Sequence, residues 1–154
     1  MKLKELIKQP EFSSLSQEVL LNVIATQSWV MSQISAVLSP YGITPNQYNV
    51  LRILRGSHPK PCQCAEIGER LLDRTPDVTR LLVRIEKNGL VSRQRAKRDR
   101  RVVEVSITAE GLRLLEDLDS PMTDLMRRCT QHLTDSELRT LSELLDKLRT
   151  DQVV

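Results

Sequence analysis

Two arginines one helical turn apart, Arg80 and Arg84, stand in the run TPDVTRLLVRIEKNG at residues 75–89, and a denser knot of charge, RQRAKRDRR, follows at 93–101. A guanidinium is a rigid fork of donors that takes two acceptors at once, either two phosphate oxygens or O6 and N7 of a guanine. Turned at about 100° per residue, the first run gathers Val78, Leu81, Leu82 and Ile85 on one side. Pro76, Arg80, Val83, Arg84 and Lys87 fall on the other, with Asp77 and Thr79 at the borders. A solvated helix ordinarily mixes Glu with Lys at neighbouring positions, and this outer face does not. Taken alone, an arginine pair on a helix also reads as ordinary surface charge, so the surrounding elements must decide.

The charge is unevenly distributed. The chain of 154 residues carries a formal +3, but Arg70 to Arg101 holds eleven basic residues against four acids, a local +7. From Glu104 onward there are six basic residues and eleven acidic ones, a local −5. A basic block on an otherwise acidic chain is the footprint of a polyanion contact.

The elements that must carry this block read as mainly helical. Residues 16–38 have apolar positions near helical spacing and no internal Pro or Gly; SPYG at 39–42 ends that helix. Thr44 with Pro45 opens a second helix, running to Gly56, and the prolines of SHPKP make the next segment a loop. A short helix is predicted from Gln63 to Leu72 with Ile67, Leu71 and Leu72 inward. Thr75 then caps, and Pro76 opens, a helix stopped by Gly89. Leu90–Arg95 and Val102–Ile107 alternate as strands of a hairpin with a basic tip. Thr108 caps a long Leu-rich helix, and TDSE at 134–137 opens the last.

The order helix, tight turn, helix, basic hairpin is the layout of a winged helix-turn-helix. The runs ITPNQYNVLRIL, CAEIGERLLDRTPDVTRLLVRIEKNGLVSR and DRRVVEVSITAEG resemble the MarR family of bacterial transcription regulators over roughly residues 15–150. The resemblance implies one domain over 1–154, mainly α with a small β-hairpin wing. Residues 1–40 and 109–154 would supply dimerisation helices, and 41–108 a DNA-binding lobe with its wing at 90–107. It further implies a homodimer, most often a repressor, on a pseudo-palindromic operator in double-stranded DNA. Thr75, Pro76, Asp77, Thr79, Arg80 and Arg84 match the segment that enters the major groove; Asp99 and Arg101 match the family's wing signature. If the tip is extended, residues two apart share a side and the Asp99 carboxylate can hold the Arg101 guanidinium. Arg101 would probe a narrow minor groove, and Arg95, Lys97, Arg98 and Arg100 would reach flanking phosphates. Family members often take small, frequently aromatic, anions in a cleft between the dimer helices and the DNA-binding lobe; Trp29, Tyr41 and Tyr48 are the aromatic candidates here. Ligand binding would change the separation of the two recognition helices.

Other chemistries find little support. Cys62 and Cys64 flank a helix start, where unpaired amides favour a thiolate, so a redox switch is one reading and packed thiols the other. His58 with the two thiols matches no common zinc spacing, so no metal or cofactor is expected. No nucleophile motif, phosphate-binding Gly-rich loop or paired acid site points to an enzyme. The absence of a long apolar run or of an export-signal core implies a cytoplasmic location away from membranes. The rival reading is an architectural winged helix that binds DNA without sequence preference, or binds protein.

Overall fold

A computed structural model describes residues 2–73, 77–96 and 99–150. Among these residues, seven α-helices and three strands follow in the order α1 (Leu3–Leu6), α2 (Leu15–Leu38), α3 (Pro45–Ser57), β1 (Cys62–Gln63), α4 (Cys64–Arg70), α5 (Val78–Lys87), β2 (Val91–Arg95), β3 (Val103–Ile107), α6 (Ala109–Thr130) and α7 (Asp135–Leu148), with a 3-10 turn at Ser39–Tyr41 closing α2. Short polar side chains set the starts of the long helices. Ser14, Thr44, Thr108 and Thr134 each accept a hydrogen bond from the backbone N–H three residues on, satisfying an amide the helix itself leaves unpaired. Gln47 and Glu137 return the bond to Thr44 and Thr134, completing capping boxes.

The sheet is antiparallel in the order β1-β3-β2. Its hairpin was expected; β1 was not, because two residues after a proline loop carry no periodicity and pair with Val105 and Glu104 far along the chain. The core is aliphatic, as composition requires: Leu38, Leu51, Leu54, Ile67, Leu82, Ile85, Leu115 and Leu118 are all essentially inaccessible. Each such side chain contributes about 1.5–3 kcal/mol of transfer free energy. Cys62 is buried among them, whereas Cys64 and Cys129 are partly covered.

Two sequence expectations need correction. Leu72 points out of the fold at 92% exposure, because α4 ends at Arg70 and only Leu71 turns inward. The described part of α5 starts at Val78 with Asp77 as its cap, two residues later than the Thr75 cap that the TP dipeptide suggested. Thr75 and Pro76 themselves lie outside the described residues. A four-residue helix, α1, also precedes the long α2, its one buried residue being Leu3.

Candidate nucleic-acid interface

Helix α5 is held against the fold by Leu82 and Ile85, with Val78 and Leu81 partly covered. Gly68 of α4 admits the α5 start closely: a Cβ there would meet the Val78 methyl at 3.3 Å. Thr79, Arg80, Val83, Arg84 and Lys87 are consequently left on the solvent side, the division the helical wheel predicts. Asp77 serves this helix twice. One carboxylate oxygen accepts from the Arg80 N–H at 3.0 Å, and the other lies 2.9 Å from Arg80 Nε, while the Arg80 side chain stays 82% exposed. Arg84 and Lys87 have no ion-pair partner among the described residues. The helix closes at Asn88, and Gly89 adopts φ 73°, a left-handed conformation that costs glycine little and lets the chain turn directly into β2.

The wing is the β2–β3 hairpin, in register from Val91↔Ile107 to Arg95↔Val103. Beyond Arg95 the Ala96 N–H donates to the Val102 carbonyl at 2.9 Å, and the Val102 N–H to the Asp99 carbonyl at 3.0 Å. Residues 99–102 therefore form a tight turn, and the extended geometry expected of Asp99 and Arg101 does not apply. The Asp99 carboxylate instead accepts from the backbone N–H of Arg101 at 2.9 Å, an Asx-type contact that fixes the turn and leaves the Arg101 guanidinium without an ion partner among the described residues. Arg95, Arg100 and Arg101 are exposed at this tip; Lys97 and Arg98 lie outside the described residues.

One strong interaction was missed by sequence reasoning. Glu86, on α5, accepts from the Arg93 backbone N–H at 3.1 Å and from its Nε at 2.8 Å, and Arg93 Nη2 lies 2.7 Å from the same carboxylate. The Arg93 hydrogen bonds hold the Glu86 carboxyl below its ordinary pKa against an opposing effect of burial, so it is ionised at neutral pH. The available signal was parity: Arg93 shares a strand face with buried Val91 and pairs with buried Val105, a place where a cation needs an acid. Arg93 had been counted with the basic knot. Its guanidinium belongs to the scaffold instead.

Away from this face, a cleft of about 540 Å³ lies between α2, α3, α6 and the segment after α4. Met31, Ile34, Met122 and Met126 supply its apolar walls, and Tyr48 and Arg52 its polar end. Arg52 Nη1 donates to the Tyr48 hydroxyl at 3.0 Å, with its guanidinium 5.8 Å from the ring centroid. Of the three candidate aromatics, Tyr48 lines this cleft, whereas Trp29 and Tyr41 do not. Leu72 and Asp73 form part of its wall, and α3 tethers both: Asn49 Oδ1 accepts from the Leu72 N–H at 3.0 Å, and Asn46 Nδ2 donates to Asp73 at 3.2 Å. Cys62 is 1% exposed, with Arg70 Nη1 4.0 Å from its sulfur, and Cys64 is the first residue of α4. No group of three or more metal-ligating side chains occurs among the described residues. None of the described helices is long and apolar enough to cross a membrane.

Comparison with known proteins places this geometry. The model of the MarR family matches residues 43–103, the span from the start of α3 to the start of β3. A crystal structure of a MarR transcription factor from Planctomyces limnophilus is 38% identical, with a TM-score of 0.69 over 88% of this chain and 98% of that one. A mutant Escherichia coli MarR complexed with operator DNA is 28% identical, with a TM-score of 0.78 over 88% of this chain and 99% of that one. The HTH-type transcriptional repressor MdtR of Bacillus subtilis is 28% identical over 87% of this chain and 85% of its own length.

Proposed function

The chain belongs to the MarR family, and from that premise we propose that it is a sequence-specific, DNA-binding transcriptional regulator acting as a homodimeric repressor on a pseudo-palindromic operator. The observation that carries the reading is the pairing of one solvent-facing helix surface, Thr79, Arg80, Arg84 and Lys87, with an adjacent wing tip bearing Arg100 and Arg101. A helix of this diameter fits a major groove, and an arginine on a hairpin reaches the neighbouring minor groove, where a narrow width concentrates negative potential. Asp77 orients Arg80, and Arg95 contributes phosphate attraction. Thr75 and Pro76 belong to the same groove-entering segment by family resemblance, and Lys97 and Arg98 to the same wing.

The dimer is supported by apolar surface left exposed among the described residues. Helix α7 has no buried residue, yet Leu141, Leu144 and Leu148 are about half exposed, as are Leu20, Ile24 and Trp29 along α2. Residues 1–40 and 109–154 thus act as the dimerisation part and 41–108 as the DNA-binding lobe. Exposed apolar side chains on two long terminal helices are the kind of surface a second copy covers. Release by a small aromatic anion is supported by the cleft: apolar walls for a ring, and Arg52 beside Tyr48 for a carboxylate or phenolate. The burial of Cys62 favours this ligand route over oxidation of the Cys62 and Cys64 pair.

Genome-wide mapping of bound fragments, followed by release of the tightest fragment with candidate aromatic acids, tests the whole reading. A shared inverted-repeat sequence among the fragments is the expected result. Binding spread without a common sequence would replace it with the architectural alternative.

A further inference from the structure

The least expected residue in the wing is Arg93. Strand β2 sends Val91, Arg93 and Arg95 to one side of the sheet, and at the opposing positions of β3 stand Ile107, Val105 and Val103. An apolar residue is the ordinary occupant of the middle position, whose cross-strand neighbour Val105 is fully buried. A guanidinium placed there loses part of its hydration and is tolerated only with a well-oriented anion.

The anion comes from the recognition helix. Glu86 lies in the last turn of α5, and its two oxygens meet Arg93 at 3.1, 2.8 and 2.7 Å, through one backbone and two side-chain nitrogens. Both side chains are about a quarter to a third exposed, so solvent screens the pair less than the i, i+3 pairs on the outer helix surfaces. The geometry is two-pronged, which fixes an angle as well as a distance. Gly89, the pivot between α5 and β2, has open space around its α-carbon and imposes no orientation of its own beyond its left-handed turn.

From these contacts we infer that Glu86 and Arg93 are positioning residues that lock the wing to the recognition helix, so that the two DNA-reading elements approach their grooves at one fixed spacing. Neither side chain touches DNA in this arrangement. The inference rests on the proposal that α5 and the wing both read sequence. It adds that their relative placement is built by an ion pair seven residues apart, with Arg93 subtracted from the DNA-facing charge.

The test is selection of binding sites from a double-stranded library randomised in both the core and the flanks, with the full-length protein. Wild type is expected to select core bases and flanking A·T bases at one separation. The isosteric Glu86→Gln removes the charge, and Glu86→Ala removes all three contacts. Each, with unchanged circular dichroism and oligomeric state, is expected to keep the core preference and lose the fixed-distance flank preference, Ala more completely than Gln. If both variants lose affinity equally for all sites and keep both preferences at the wild-type separation, the pair is structural and the inference is overturned. Should wild type itself select a core without flanks, the wing reading fails and the inference fails with it. The two failures are distinguishable because only the second appears in the unaltered protein.

Discussion

Replacing Gly111 with alanine sets two well-defined effects against each other. Gly111 sits in the first turn of α6, where intrinsic helix propensity favours alanine over glycine by about 1 kcal/mol. The space does not permit it. A Cβ at this position would lie 2.4 Å from the Leu90 carbonyl oxygen and 2.7 Å from Ile107 Cγ1. The oxygen is backbone and cannot rotate away, so α6 and the base of the wing must separate by roughly 1 Å to restore ordinary contact. That oxygen also accepts from the Thr108 N–H at 3.1 Å, a bond stretched by the same movement. Overpacking costs about 1–3 kcal/mol and a weakened hydrogen bond about 1 kcal/mol, against the propensity gain of about 1 kcal/mol. The net expectation is destabilisation by about 1–3 kcal/mol, or roughly 3–10 °C in Tm for a chain of this size. Thermal unfolding followed by circular dichroism at one fixed protomer concentration measures it, since the stability of a dimer depends on concentration. A Tm equal to or above that of wild type would show that propensity outweighs the contact, and would refute the close approach between α6 and the wing base.

Further expectations concern the DNA face and the link between lobes. Arg80→Ala and Arg84→Ala should each cost about 1–3 kcal/mol of specific binding and relax base preference; an unchanged selected-site profile would remove their base-reading role. Arg101→Ala should weaken binding most where the flanks are A·T-rich, and equal losses on A·T- and G·C-rich flanks in a gel-shift titration would argue against minor-groove insertion. Arg55 holds Asp119 through two bonds of 2.9 Å between α3 and α6, and the Arg55 hydrogen bond depresses the Asp119 pKa. A depressed carboxyl stabilises above its unfolded pKa and loses that contribution as pH falls through the folded one. Asp119→Asn should therefore lower stability by about 0.2–1 kcal/mol at neutral pH, with the gap to wild type narrowing progressively below about pH 4; a pH-independent gap would contradict the ionic contribution.

Much of this arrangement was legible because it is written in local patterns. Ser14, Thr44, Thr108 and Thr134 are caps that act within one turn, and Val91, Val103, Val105 and Ile107 alternate within single strands. The two faces of α5 likewise follow from residue order alone. Features that depend on distant partners were not legible. Strand β1 exists only because Cys62 and Gln63 meet Val105 and Glu104, and the Leu72 backbone is tied by Asn49 of a different helix. Asp99 illustrates a third kind of difficulty. Its closeness to Arg101 was readable, but whether it takes the side chain or the amide depends on how sharply the tip turns. Glu86 and Arg93 stand seven residues apart, and nothing in that spacing alone shows that a glycine turn folds one back onto the other.

The double use of Asp77 bears on how such a protein searches a genome. Attraction common to all DNA comes from phosphates and grows with each unneutralised cation, and it holds a protein on the vast excess of irrelevant sequence. In the proposed reading Arg80 is partly neutralised by Asp77, so at a random site it would gain less by exchanging that carboxylate for a phosphate. At the right base it can offer its remaining nitrogens to a guanine edge while the carboxylate still holds Nε. Under the proposed function, an acid at the mouth of the DNA-reading helix would thus sacrifice indiscriminate affinity and widen the ratio between operator and background. Asp77→Asn should accordingly tighten binding to random DNA more than binding to the operator.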